Sequence, residues 1–171
     1  MTFFLIGFMG SGKTHWGKIW AAAHGFTFID LDEAIEITEG KLIADIFENK
    51  GEKYFRTAEA AALRTCKGLT NTIVACGGGT PCFEENMQWM NEEGITIYLS
   101  TTVPEILKRV LTEQEKRPLL KKMNPGELVF FIEQKLKERV PFYKAAKFIL
   151  STAELSEDSF GDLLTRLQST T

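Results

Sequence analysis

The chain has 171 residues, 44% hydrophobic and 25% charged, ordinary values for one folded domain that exclude a disordered or fibrous polypeptide. Its net charge of -3 gives no general basic field, so no nucleic-acid partner is expected and any anion must be bound by a local cluster. No apolar run has membrane length and no basic segment precedes the short apolar start, so a cytoplasmic protein without a membrane partner is expected. The expectation is a single domain over residues 1–171, monomeric by default.

The first predicted strand covers residues 2–6 and runs into Gly7-Phe8-Met9-Gly10-Ser11-Gly12-Lys13-Thr14, which fits G-x-x-x-x-G-K-[ST] at every fixed position. A strand before it and a helix over 13–23 after it make this a phosphate-binding loop for a purine nucleoside triphosphate. Gly10, Ser11 and Gly12 let backbone N–H groups point inward, Lys13 can reach the β and γ phosphates, and Thr14 offers a hydroxyl to Mg²⁺. The positive end of the helix adds to the attraction.

A second strand over 27–29 leads into Asp30-Leu31-Asp32. In a strand leaving a sheet, residues two apart point the same way, so both carboxylates can face one crevice, one serving the metal and the other an acceptor hydroxyl. The competing reading makes Asp32 an N-cap for the helix predicted over 31–38. Helices at 43–50 and 54–67 follow, then a strand at 72–76 that ends in Gly77-Gly78-Gly79-Thr80-Pro81 where a Walker B strand would carry an acid. Three glycines in a row are costly unless something approaches the backbone closely, which points to a small ligand against this turn; a tight turn before Pro81 is the alternative.

A helix at 84–93, a strand at 96–99 and a helix at 103–112 come next. Residues 112–126 break the periodicity with Pro118, Pro125 and dense charge, a surface loop or a lid, and Arg117 in a triphosphate-binding protein favours the lid. A helix at 127–144, a strand at 148–150 and a helix at 159–167 complete the chain, with a frayed end after Gln168. This βα alternation predicts a three-layer α/β/α fold around a parallel sheet, with Gly25, Gly51, Gly68 and Gly94 closing helices.

Cys66, Cys76 and Cys82 lack metal-like spacing and are expected as reduced, mostly buried thiols. His15 and His24 read as helix-surface or packing residues rather than catalysts. Arg56 near the start of one helix and Arg139 near the end of another could each be an ordinary solvated cation.

The phosphate loop, Phe28 to Asp32, Ile43 to Phe47, Gly51 to Arg56, the Gly77 to Gly79 triplet, Arg117 to Leu120 and Arg139 to Tyr143 occur in the order and spacing of shikimate kinases. From residue 3 to about 150 the chain resembles that family. The resemblance implies a nucleoside-monophosphate-kinase-like P-loop fold with a five-stranded parallel sheet in the order 2-3-1-4-5, a substrate-binding region at about 31–60 and a mobile lid. It implies phosphorylation of the 3-hydroxyl of shikimate by ATP, in aromatic amino acid biosynthesis.

By that similarity Asp32, Arg56, Gly77, Gly78, Gly79 and Arg139 bind shikimate and Phe47 and Phe55 wall its ring. Gly10, Ser11, Gly12, Lys13, Thr14, His15, Arg109 and Arg117 take ATP; Thr14 ligates Mg²⁺ directly and Asp30 mainly through water; Lys13, Asp32 and Arg117 are the catalytic set. A guanidinium fork suits a small carboxylate, which lysine would bind poorly.

Two departures from the family pattern stand out. His15-Trp16 replace smaller residues and are expected to alter packing only. Ser151 to Leu155, after the last strand, hold no arginine to stack on adenine, which leaves backbone and Arg109 for the base and weaker base affinity or selectivity as the expectation.

Two other readings compete. A P-loop kinase for gluconate or a nucleoside monophosphate would share the loop and lid but need not carry Asp30, Asp32, Arg56, Gly78 and Arg139 together. A nucleotide-dependent switch would need an N-K-x-D element, and Asn49-Lys50-Gly51-Glu52 only approaches it, before the third strand.

Overall fold

The computed structural model describes residues 1–113, 120 and 123–169. Five strands form one parallel sheet in the order β2-β3-β1-β4-β5: β1 (Thr2–Ile6), β2 (Thr27–Asp30), β3 (Thr72–Ala75), β4 (Ile95–Ser100) and β5 (Phe148–Ser151). The helices are α1 (Lys13–His24), α2 (Leu31–Glu39), α3 (Ile43–Arg64), α4 (Asn86–Glu93), α5 (Val103–Glu113), α6 (Pro125–Tyr143) and α7 (Ser159–Gln168). A short 3₁₀ turn covers Thr80–Cys82.

The period-2 alternation of the strands separates two apolar layers. Phe4, Ile6, Val74, Cys76 and Tyr98 pack on one face with Leu31, Ile35, Ile46, Leu63, Met90, Ile106, Leu128 and Tyr143, so α2 to α6 cover that side. Phe3, Leu5, Ile73, Ile97 and Leu99 pack on the other with Trp20 and Ala21 of α1 and Phe160 and Leu163 of α7. All five residues of β1 are buried, as its central position between β3 and β4 requires.

Several boundaries differ from the sequence expectation, and four of them have a clear local cause. The helices predicted at 43–50 and 54–67 are two segments joined at Gly51, whose φ of 80° and ψ of 171° break the helix without a loop. The helix predicted from residue 84 starts at Asn86, because Glu84 and Glu85 take positive φ. The one predicted from 127 starts at Pro125: Asn124 and Glu127 form a reciprocal capping box, with proline in the first turn where its missing N–H costs nothing. Gly94 closes α4 in an extended conformation rather than a left-handed one. Arg117 and much of the 112–126 lid segment lie outside the described residues.

No helix among the described residues is long and apolar enough to cross a membrane. Cys66 and Cys76 are buried and Cys82 is half-buried.

Candidate active site

Register brings the site together at the C-terminal ends of the strands. Asp30 pairs with Ala75 across β2 and β3, and β1 lies beside β3, so the phosphate loop, the Asp30 to Asp32 segment and the glycine turn meet at one edge. They surround a cavity of about 960 Å³. Its walls include Gly10, Gly12, Lys13, Thr14, Asp30, Asp32, Phe47, Phe55, Arg56, Gly77 to Gly79, Arg109 and Arg139, nearly every residue that the sequence nominated. Ser11 is an exception: it is fully buried, with its hydroxyl 3.5 Å from Lys13 Nζ.

Gly10 and Gly12 hold φ values of 74° and 88°, the left-handed region that the loop's turns require. Lys13 lies back over the loop, its ammonium donating to the carbonyls of Gly7 at 2.9 Å and Phe8 at 3.0 Å. At the start of α1 no side chain of its own caps the helix and no acid of its own stands in its first turn, so its positive end opens on the cavity.

Asp30 is the N-cap of α2: its Oδ1 accepts from the backbone N–H of Asp32 at 3.1 Å, while its Oδ2 accepts from the Thr14 hydroxyl at 2.7 Å. The capping role weighed for Asp32 therefore belongs to Asp30. Asp32 sits in the first helical turn, not on an extended strand, yet both carboxylates still line the cavity because the helix turns Asp32 back over the sheet edge. Asp32's pKa is pushed up to about 6, first by burial, then by repulsion from Asp30 and Glu59, with Lys13 opposing and Glu36 adding to the rise.

The glycine triplet has a spatial cause. A Cβ on Gly77 would stand 2.9 Å from both Asp32 Oδ1 and Glu59 Oε1; one on Gly79 would stand 2.7 Å from both terminal nitrogens of Arg56; one on Gly78 would meet Arg139 Nη1 at 3.3 Å. The expected close approach to this backbone is made by the protein's own polar side chains. None of the three needs positive φ, so the requirement is room rather than conformational freedom.

Arg56 is nearly buried and held by two carboxylates on its own helix. Nη1 donates to Glu59 Oε2 at 2.8 Å; Nη2 and Nε reach Glu52 Oε1 at 3.1 and 3.3 Å. Its guanidinium lies over Phe83 at 4.2 Å and near Phe55 at 5.1 Å. Phe47 and Phe55 form a tilted pair with centroids 4.6 Å apart. Arg139 stands over Phe8 at 5.6 Å.

Sequence reasoning missed Glu59, Tyr143 and the cavity role of Trp16. Glu59 is almost inaccessible, bonds both Arg56 and the Thr80 hydroxyl at 2.6 Å, and could have been found three residues after Arg56 on one helix face. Tyr143 is fully buried and its hydroxyl donates to the carbonyl of Gly78; burial holds its pKa far above the ordinary phenol value. His15 and Trp16, expected to alter packing only, line the cavity.

A glycine loop between β1 and α1, at the centre of a 2-3-1-4-5 parallel sheet, defines a P-loop kinase. The family model for shikimate kinase matches residues 9–168, and the chain belongs to the shikimate kinase family. It is 39% identical to the shikimate kinase of Parabacteroides distasonis over 156 residues, 91% of this chain and 90% of that protein. The crystal structure of shikimate kinase from Bacteroides thetaiotaomicron superposes with a TM-score of 0.89 at 36% identity, covering 99% of this chain and 97% of that one. The Acinetobacter baumannii enzyme in complex with shikimate gives 0.84 at 32% identity, over 99% and 93%.

Proposed function

We propose that the chain transfers the γ-phosphoryl group of ATP to the 3-hydroxyl of shikimate, giving shikimate 3-phosphate and ADP. The observation that carries this reading is the pair of guanidinium groups converging on one glycine turn: Arg56 against Gly79 and Arg139 against Gly78, beside Asp32 and within the cavity that contains the phosphate loop. Two forks can grip a small carboxylate, while Asp32 meets hydroxyls on the side nearer the phosphates. Phe47 and Phe55 give the ring an apolar wall.

The donor set at Thr14 and Asp30 fits Mg²⁺, since a hydroxyl and a carboxylate 2.7 Å apart are hard oxygens facing the same cavity. Thr14 would hold the ion directly and Asp30 through water. When bound, the ion neutralises charge on the β and γ phosphates.

Lys13 exchanges the Gly7 and Phe8 carbonyls for phosphate oxygens, a short swing because its ammonium already lies over the loop. Arg117, from the lid segment, adds a second cation at the transferred group. Asp32 orients the attacking hydroxyl and receives its proton as the new O–P bond forms and the bond to the β phosphate breaks. A pKa of about 6 leaves it mostly ionised at neutral pH yet basic enough for that role. Because the transition state is loose, positioning and charge stabilisation contribute more than proton removal.

The test is ADP release from the purified protein with MgATP, comparing shikimate with quinate, gluconate and nucleoside monophosphates at equal concentration. A shikimate-dependent rate is expected. Activity confined to another acceptor would overturn the roles of Arg56 and Arg139, and no acceptor-dependent turnover would point to a binding protein.

A further inference from the structure

The cavity extends beyond what the phosphate loop, Asp32 and the two arginines use. Past Gly12 it continues along His15, Trp16, Lys18, Arg109 and Thr112, away from the glycine turn. A triphosphate cradled by residues 10–14 leaves its nucleoside to lie in this extension. At its mouth Trp16 Cδ1 and Arg109 Nη1 stand 3.2 and 3.6 Å from one point, the place a Cβ on Gly12 would occupy. An indole and a guanidinium thus flank the last glycine of the loop.

Both groups are fixed before any ligand arrives. Arg109 Nη1 donates to the carbonyl of Gly10 at 2.8 Å, which ties the guanidinium to the loop. Trp16 stacks on Trp20 with centroids 5.7 Å apart and planes 28° apart, and Trp20 stacks in turn on Phe160 at 5.7 Å and 13°. Trp20 and Phe160 are fully buried, and Trp20 Nε1 donates to the carbonyl of Ser156 at 3.0 Å. The ring ladder therefore runs from the core to the cavity and reaches a half-buried Trp16, whose indole also meets the His15 ring edge to face with centroids 5.3 Å apart. A planar aromatic ring is the group that continues such a ladder, and a guanidinium plane is its natural second face.

We infer that Trp16 is the base platform of this enzyme: the purine of the bound nucleotide stacks on its indole, with Arg109 opposite. The segment after β5, Ser151 to Leu155, carries no arginine, and Trp16 supplies from α1 the flat surface lacking there. Stacking on a π face is tolerant of base identity but grows with ring area, so purines are favoured over pyrimidines with little distinction between adenine and guanine.

The inference rests on the kinase reading only for taking the ligand as a nucleoside triphosphate. The test is therefore equilibrium binding of ATP, GTP, CTP and inorganic tripolyphosphate, without shikimate, to the parent protein, Trp16→Leu and Trp16→Phe. Trp16→Leu should weaken ATP and GTP by about 5- to 100-fold and CTP by less, leave tripolyphosphate unchanged, and be largely rescued by Trp16→Phe. Equal loss for ATP and tripolyphosphate would mean that Trp16 acts by supporting the loop, and unchanged ATP affinity would remove it from the site; either overturns the inference. If Trp16→Leu does not fold, tryptophan emission decides. ATP should change the emission of the parent protein, with three tryptophans, and not that of Trp16→Phe, and an equal change in both overturns the assignment. Failure here leaves shikimate-dependent turnover untouched, whereas failure of that turnover leaves nucleotide binding measurable.

Discussion

Asp32 is held where its ionised form is disfavoured, so replacing it with asparagine should stabilise the protein while disabling it. The carboxyl is largely buried, no hydrogen bond reaches its oxygens among the described residues, and Asp30, Glu59 and Glu36 repel its charge while Lys13 attracts it. Its folded pKa of about 6 lies above the ordinary value of 3.8, so the native state disfavours loss of the proton. Stability from this group is whole below pH 3.8, falls as pH rises through about 6, and is then constant. At about 1.4 kcal/mol for each pH unit of displacement, the loss amounts to about 3 kcal/mol as an upper figure. An asparagine side chain has no charge to strain, so Asp32→Asn should gain on the parent protein by that amount between pH 4 and pH 7.5, or about 6 to 12 °C in Tm. The assay is thermal or urea unfolding of both proteins across that range, free of nucleotide and with divalent ions chelated, beside kcat measured with MgATP and shikimate. A stability difference that stays flat with pH, or a variant that weakens as pH rises, would refute the account of a strained carboxylate.

Other perturbations separate the parts of the site. Lys13→Ala should abolish most of kcat, since its ammonium lies over the loop where the β and γ phosphates would sit; near-normal turnover would sink the loop assignment. Gly79→Ala should leave the fold intact but raise shikimate KM by roughly 10- to 100-fold, because the new methyl displaces the Arg56 guanidinium from 2.7 Å; an unchanged KM would remove Arg56 from the substrate site. Glu59→Ala should destabilise by about 3 to 5 kcal/mol by leaving Arg56 and Thr80 short of their shared acceptor, whereas Glu52→Ala, at an exposed carboxylate on the same arginine, should cost about 0.3 to 0.5 kcal/mol. Equal losses in urea unfolding would contradict that contrast. Arg139→Lys should raise shikimate KM by the equivalent of about 1 to 3 kcal/mol through loss of the fork.

The strands and the phosphate loop are legible because each rests on local pattern: a continuous apolar run in β1, a fixed glycine and lysine spacing, and glycine where a helix stops. The candidate site was legible where chemistry narrows the choice of residue. Lys13 with Thr14, Asp30 with Asp32, Arg56 and Arg139 come from four separate stretches of sequence and meet at one cavity. What could not be read is what depends on distances across the fold. The helix over 31–38 is legible, but the competing capping role falls on Asp32 in sequence and on Asp30 in the fold, because choosing between them requires knowing where the Thr14 hydroxyl lies.

The glycine triplet carries the same lesson further. From sequence, Gly77, Gly78 and Gly79 announce a close approach but not the approaching group, and a substrate is the economical guess. In the folded chain, four side chains from three helices crowd the turn instead: Asp32 from α2, Arg56 and Glu59 from α3, and Arg139 from α6. A methyl group at any of the three positions would push on a charged group, and at Gly77 it would push on two carboxylates already strained by each other's charge. On the proposed function the glycines act on the ligand at one remove: they let cations and carboxylates stand against backbone. Tyr143 fixes the same turn from below through the Gly78 carbonyl, so the turn is held rigid on one side and crowded on the other. A site built this way gains precision from packing rather than from extra hydrogen bonds, which is why the smallest side-chain addition at the turn should cost substrate affinity before it costs the fold.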